Sequence, residues 1–285
     1  MEVKYPYLDQ QFADVEDFFD DLRKWVTTGE FTLGPFVDRF EKKFAEYIGV
    51  KHAIGTNTGT EALILALKAV GVKSGDEVIT VPNTFIATVG AIVAAGGKPV
   101  FVDCDKRMQI NPNLIEAAIT PKTKVLLPVH WAGCPSDLKP IIEIAKKYDL
   151  KIVEDACPAV GAEIEGKLCG SFGDANGFSM HPLKPLNVWG DGGIVVTNDD
   201  VMAEWLRLYH NHGLLDRNHI EFWGVNARLQ PFQAIIATRL LETVNESNKK
   251  RIRNARILDD GLKGIEEHII TPPRSPKFKE VYQLT

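Results

Sequence analysis

Short apolar runs rich in β-branched residues alternate with helical stretches along most of this chain, and that alternation restricts the fold more than any other feature. The runs "DEVITVP", "KPVFVDCD", "TKVLLPVHW" and "KIVEDA" have the pattern of strands buried on both faces. Between them, "TFIATVGAIVAAGG" and "SDLKPIIEIAKKYDL" read as helices. Upstream, "FVDRFEKKFAEYIG" spaces Phe36, Phe40, Phe44 and Ile48 at helical intervals and stops on Gly49. "EALILALKAVG" is a second helix, entered through the turn-like "HAIGTNTGT". Downstream come the strand "GIVVTN", helices around 201–210 and 230–242, and a further helix in "NKKRIRNARILDDGLKG". This order predicts an α/β fold, a mostly parallel sheet between helices. Ligands in such sheets sit at the carboxyl ends of the strands, so chemistry belongs just after each apolar run.

With 285 residues there is room for one large domain or two smaller ones. The 45% apolar and 25% charged content is that of an ordinary globular protein. A net charge of −5 without a basic run argues against nucleic-acid binding. No apolar segment reaches the ~18 residues of a membrane span. "MEVKYPYLDQQF" carries charges and aromatics where a secretion signal needs an apolar stretch, so a cytoplasmic protein is expected. Cys104, Cys134, Cys157 and Cys169 lack C-x-x-C spacing, so neither zinc nor a disulfide framework is indicated. There is no internal repeat and no low-complexity linker.

Four places after the strands stand out. In "TNTGTEAL", Thr58 caps a helix whose opening residues, Gly59 and Thr60, point N–H groups outward and can hold an anion, though a plain helix cap explains the pattern as well. "KIVEDA" ends in Glu154–Asp155, carboxylates that are costly at the end of a buried strand unless something cationic meets them. A structural ion pair would satisfy them equally well. No carboxylate or histidine cluster with metal-ligand spacing follows, and "HNH" (His210 to His212) has no third ligand nearby, so no metal is expected. "PNTFIAT" sets Phe85 at a helix start, where core packing is the plain alternative. Finally "FSMHPLKPLNVWGDGG" holds Ser179, His181 and Lys184; Pro182 and Pro185 exclude a regular helix, so the lysine sits on a stiff, irregular segment.

An anion cradle, a carboxylate, an aromatic face and a positioned lysine are together what pyridoxal 5′-phosphate requires. Its phosphate needs donors, its ring nitrogen a carboxylate, its ring a stacking surface and its aldehyde an amine. The same stretches, with "VHWAGCPSDL", "IVEDACPAVGA" and "GVNARLQPFQAIIA", run in the order of a known family over roughly residues 30–245. The chain resembles the DegT/DnrJ/EryC1/StrS sugar aminotransferases. That resemblance implies the aspartate-aminotransferase fold (fold type I) and a homodimer with shared active sites. It makes Lys184 the Schiff-base lysine, Asp155 the partner of the pyridinium nitrogen, Phe85 the stacking surface, and Ser179 with Thr58, Gly59 and Thr60 the phosphate site. Asn226 matches an asparagine that reaches the neighbouring subunit's cofactor phosphate. Arg228 matches a position able to meet a substrate carboxylate, and His181 is the other substrate-side candidate.

Three departures accompany the resemblance. Pro158 stands where members usually carry Gln or His against the cofactor's ring oxygen, and Pro185 replaces the asparagine that commonly follows the lysine. "KEVYQLT" ends close to where the family's small carboxy-terminal domain begins its strands, so residues 1–245 are expected to form the amino-terminal segment and large domain. Residues 246–285 would then be a connecting helix and the start of a truncated small domain. The expected activity is transfer of an amino group, from L-glutamate, to a keto or aldehydo sugar, either nucleotide-linked or an oxidised octulosonate such as 8-oxo-KDO. The products would serve cell-surface polysaccharide, including lipopolysaccharide, or secondary metabolism. The family's sugar dehydratases carry histidine at the Lys184 position, which argues against that chemistry. A non-catalytic cofactor-binding or regulatory member is the remaining alternative.

Overall fold

The computed structural model describes residues 8–12 and 14–284; most of the amino-terminal stretch read for a secretion signal, and the last residue of "KEVYQLT", lie outside them. Seven strands build the main sheet: β1 (His52–Thr56), β2 (Glu77–Thr80), β3 (Lys98–Phe101), β4 (Thr123–Leu126), β5 (Lys151–Ile152), β6 (Asn176–Ser179) and β7 (Gly193–Thr197). β3-β2-β4-β5 form one parallel ladder. β1-β7-β6 form an antiparallel ladder, with β7 running against both neighbours. Asp155 joins them, bridging Val129 just past β4 on one side and Gly177 of β6 on the other, both in parallel. The continuous order is therefore β3-β2-β4-β5-β6-β7-β1, and β7 alone runs against the rest.

Helices cover both faces. They are α1 (Glu16–Val26), α2 (Pro35–Ile48), α3 (Gly59–Ala69), α4 (Ile86–Ala95), α5 (Leu138–Tyr148), α6 (Asp200–Tyr209) and α7 (Pro231–Gly261). Strand alternation sends Ile54 and Val195 into the core beneath α3 and α6. Ala53, Ile194 and Val196 go to the opposite core, with Phe40 and Phe44 of α2 and Leu241 and Val244 of α7. Phe40 and Phe44 are wholly buried, and Phe44 meets Phe178 edge-on at 5.1 Å between centroids. Each such ring contributes on the order of 1.5–3 kcal/mol of burial. That spacing is why α2 forms where the aromatic repeat predicts it. Pro35 opens the helix, and Gly49, with φ at +80°, closes it.

Two expectations change. β3 is not buried on both faces: Lys98 and Phe101 are exposed, because the strand forms the sheet's edge. The segments read as separate helices at 230–242 and in "NKKRIRNARILDDGLKG" are one helix, the 31-residue α7. Neither glycine nor proline stands between Glu242 and Asn248, so nothing there interrupts the backbone ladder. Among the described residues no helix is long and apolar enough to cross a membrane.

Candidate active site

Five parallel strands deliver their following loops to one cavity of about 390 Å³. After β1 come Thr58, Gly59 and Thr60; after β2, Thr84, Phe85 and Thr88; after β4, Val129 and Trp131. β5 is followed by Asp155, Cys157 and Pro158, and β6 ends in Ser179, with His181 and Lys184 beyond it. Eight of the ten residues singled out from the sequence thus line a single space.

The cradle is built by close approach. The Thr58 hydroxyl accepts the Glu61 N–H at 2.9 Å and so caps α3. The N–H groups of Gly59 and Thr60 are left without intrahelical acceptors, at the positive end of the helix. A Cβ on residue 59 would fall 2.5 Å from Ser179 Cβ and 2.9 Å from Ser179 Oγ, so only glycine lets β6 lie against the helix start. Gly193 of β7 is confined in the same way, since a Cβ there would fall 2.1 Å from the Thr58 carbonyl oxygen. Ser179 Oγ accepts the His181 N–H at 3.2 Å, which leaves its own proton for a ligand. These groups suit a phosphate.

The two adjacent carboxylates at the end of β5 do different work. Glu154 is fully buried and turned away from the cavity. Its oxygens take Nε2 of His130 at 2.9 Å and the N–H groups of Gly170, Phe172 and Gly173 at 2.7–2.8 Å. Burial acts to raise its pKa, but His130 and these amides outweigh burial and hold it below the usual carboxylate range. Glu154 is the structural partner expected of a buried acid. Asp155 lines the cavity, accepting Thr88 Oγ1 at 2.6 Å on Oδ2 and the Cys157 N–H at 3.1 Å on Oδ1.

Lys184 is half-buried on a turn closed by its own N–H to the His181 carbonyl at 2.8 Å. The segment beyond it is anchored by the buried side chains of Leu186 and Val188. Burial pushes the Cys157 thiol well above its ordinary range; the Asp155 carboxylate adds to that, and the Lys184 ammonium opposes it. Lysine and carboxylate therefore act on the same point. Phe85 is the residue before α4 and is 64% exposed, presenting a ring to the cavity and not to the core.

Asn226 and Arg228 do not line this cavity. Arg228 donates through Nε to Asn226 Oδ1 at 3.0 Å and through Nη1 to Asn211 at 2.9 Å. The pair lies beside the Thr56–Thr58 turn, where the Asn57 N–H meets the Ala227 carbonyl at 3.2 Å. His210 is spent structurally: Nδ1 donates to the Gly55 carbonyl at 3.1 Å, and burial lowers its pKa to about 4.

Thr84, Thr88, Trp131 and Gln283 also line the cavity, though no sequence motif singles them out. Trp131 follows an apolar run, the one signal that could have marked it. Gln283 arrives from the far end of the chain and donates to the Leu183 carbonyl at 3.1 Å.

The model of the DegT/DnrJ/EryC1/StrS aminotransferase family matches residues 13–285. A pleiotropic regulatory protein of Geobacillus stearothermophilus is 37% identical over 95% of this chain and 74% of its own. The dTDP-3-amino-3,4,6-trideoxy-alpha-D-glucose transaminase of Micromonospora megalomicea is 39% identical over 92% of this chain and 71% of its own. Among solved structures, NtdA of Bacillus subtilis, with the cofactor PMP bound, superposes with a TM-score of 0.91 at 33% identity. That match covers 99% of this chain and 66% of the neighbour. PMP is the amino form of pyridoxal phosphate, the family's cofactor, and the α/β sheet is that of the fold type I enzymes. By sequence and by fold, the chain belongs to the DegT/DnrJ/EryC1/StrS aminotransferase family.

Proposed function

We propose that this protein transfers an amino group from L-glutamate to a nucleotide-linked keto sugar, using pyridoxal 5′-phosphate in the cavity below Phe85. The observation that carries the reading is the convergence of Lys184, Asp155, Phe85 and the Ser179–Gly59 contact on one space. When bound, the cofactor supplies an aldehyde that condenses with amines and a ring that draws electrons from bonds at the attached carbon. Gly59 and Thr60 N–H and the Ser179 hydroxyl hold its phosphate. Phe85 covers a face of the ring, and the Asp155 carboxylate pairs with the ring nitrogen. Lys184 Nζ would be the amine that meets the aldehyde, and as a free amine beside it would be placed to move a proton. His181 stands on the substrate side. Asn226 and Arg228 act across a two-fold homodimer, Asn226 on the partner site's phosphate and Arg228 on a substrate carboxylate.

The named transaminase among the relatives supports a nucleotide-linked sugar over an oxidised octulosonate. A panel of nucleotide-linked 3-keto and 4-keto sugars, with 8-oxo-KDO as a further arm, scored by glutamate-dependent turnover, tests this. Turnover on a nucleotide-linked sugar supports the proposal, and turnover on the octulosonate alone overturns the substrate class. The relative named as a regulatory protein favours a second reading, a member that binds cofactor without turnover. In that case the cofactor's visible absorbance would persist when glutamate is added.

A further inference from the structure

Asp155 lines the cavity, and each of its carboxylate oxygens takes a hydrogen bond from the protein. Thr84, Phe85 and Thr88 all come from "PNTFIAT", at the start of α4. Thr88 is 1% exposed, and its hydroxyl lies 2.6 Å from Asp155 Oδ2. A buried hydroxyl has one proton, and an acceptor-only carboxylate takes it. Thr88 Oγ1 can then serve the Thr84 hydroxyl, 2.7 Å away, only as acceptor, so the chain runs Thr84 to Thr88 to Asp155. Threonines inside helices commonly return their proton to a carbonyl one turn back; this one sends it across 67 residues of sequence to another strand's end. On the other side the Cys157 N–H holds Oδ1. Each oxygen is fixed by one donor, and the remaining lone pairs are left for whatever the cavity holds.

We propose that Thr88 is a positioning residue, orienting the Asp155 carboxylate toward the cofactor ring, with Thr84 fixing the direction of its hydroxyl. The same helix start presents Phe85 to the ring, so one turn of chain sets both the stacking face and the charge that meets the ring's edge. The inference rests on reading this cavity as the cofactor site, and its test separates the two.

Cofactor-free parent, Thr88→Val, Thr88→Ser, Asp155→Asn and the Thr88→Val/Asp155→Asn double variant are titrated with pyridoxal 5′-phosphate, and each loaded protein is then mixed with L-glutamate in a single turnover. Thermal unfolding of the cofactor-free proteins shows whether the fold is kept. Thr88→Val should lose about tenfold or more in cofactor affinity and in single-turnover rate, the scale of one hydrogen bond to a charged group. Thr88→Ser, which keeps the hydroxyl, should stay within a few-fold of the parent. In the double variant the two losses should fall well short of additive, since Thr88 acts only through Asp155. Should Thr88→Val prove unstable, the near-parent behaviour of Thr88→Ser against a further loss in Thr84→Val carries the test. Thr88→Val or Thr84→Val at parent affinity and rate, with Asp155→Asn impaired, overturns the positioning role and leaves the site reading standing. Asp155→Asn at parent affinity and rate overturns the site reading itself.

Discussion

Gly59 lies so close to Ser179 that a methyl group on residue 59 would fall 2.5 Å from the serine's Cβ. The contact binds the start of α3 to the end of β6, and the proposed phosphate cradle depends on it. Gly59→Ala should push the two elements apart, at a cost of about 1–3 kcal/mol in stability. Pyridoxal phosphate affinity should fall more steeply than that of a control such as Gly90→Ala, whose Cβ would meet nothing within 4 Å. Calorimetry and cofactor titration check this, and equal effects at both positions would remove the cradle from the account.

Asp155 and Glu154 are neighbours in sequence, yet one lines the cavity and the other is buried away from it. Asp155→Asn should slow the single turnover with glutamate by ~10²–10³, the scale of losing one preorganised electrostatic group, with little change in stability. Glu154→Gln should destabilise the fold by about 3–5 kcal/mol, because His130 and three amides lose their charged acceptor. Because Glu154's pKa is held below its unfolded value, its contribution is present above the unfolded carboxylate pKa. It fades as pH falls through the lower folded one. The gap between parent and Glu154→Gln in urea unfolding should therefore close in acid.

His210 supplies a second pH dependence. Its folded pKa of about 4 lies below the ordinary 6.5, so the unfolded chain takes up a proton first as pH falls. Above pH 6.5 the group contributes nothing to pH dependence; between 6.5 and 4 it costs the native state a growing amount, about 3 kcal/mol in all. His210→Gln should flatten that limb of the stability profile, measured by urea unfolding at stepped pH. An unchanged limb assigns the acid sensitivity elsewhere.

Much of this was legible from local pattern. The Phe36–Ile48 helix, the strand runs and the loops bearing Thr58, Asp155 and Lys184 follow from periodicity, β-branching and proline, all of which act over a few residues. What escaped depends on distant partners. Thr88 matters through a contact 67 residues away, and Glu154 is told from Asp155 by His130, 24 residues earlier, and by the amides of Gly170, Phe172 and Gly173. The exposure of β3 follows from its place at the sheet edge, which strand composition does not encode. The continuity of α7 turned on the absence of a breaker, a weaker signal than the change to a basic sequence after Glu242.

Asn226 and Arg228 hold each other outside the cavity of their own chain, which fits a role in a partner's site. Mixing Lys184→Ala protein with an Asn226→Ala/Arg228→Ala double variant should restore up to half of parent activity per mixed dimer, because one of its two sites is fully parental. Subunit exchange is verified by tag pull-down. Verified mixed dimers with no rescue would remove the shared-site model.

The central claim is that Lys184, held between two prolines beyond β6, is the amine to which the cofactor attaches. Borohydride reduction of the protein loaded with pyridoxal 5′-phosphate, followed by peptide mapping, tests it most directly. A single phosphopyridoxyl label is expected on Lys184, and its loss, with the visible absorbance, in Lys184→Ala protein that still unfolds cooperatively. A label on any other lysine, or a Lys184→Ala variant that keeps the absorbance, would contradict it.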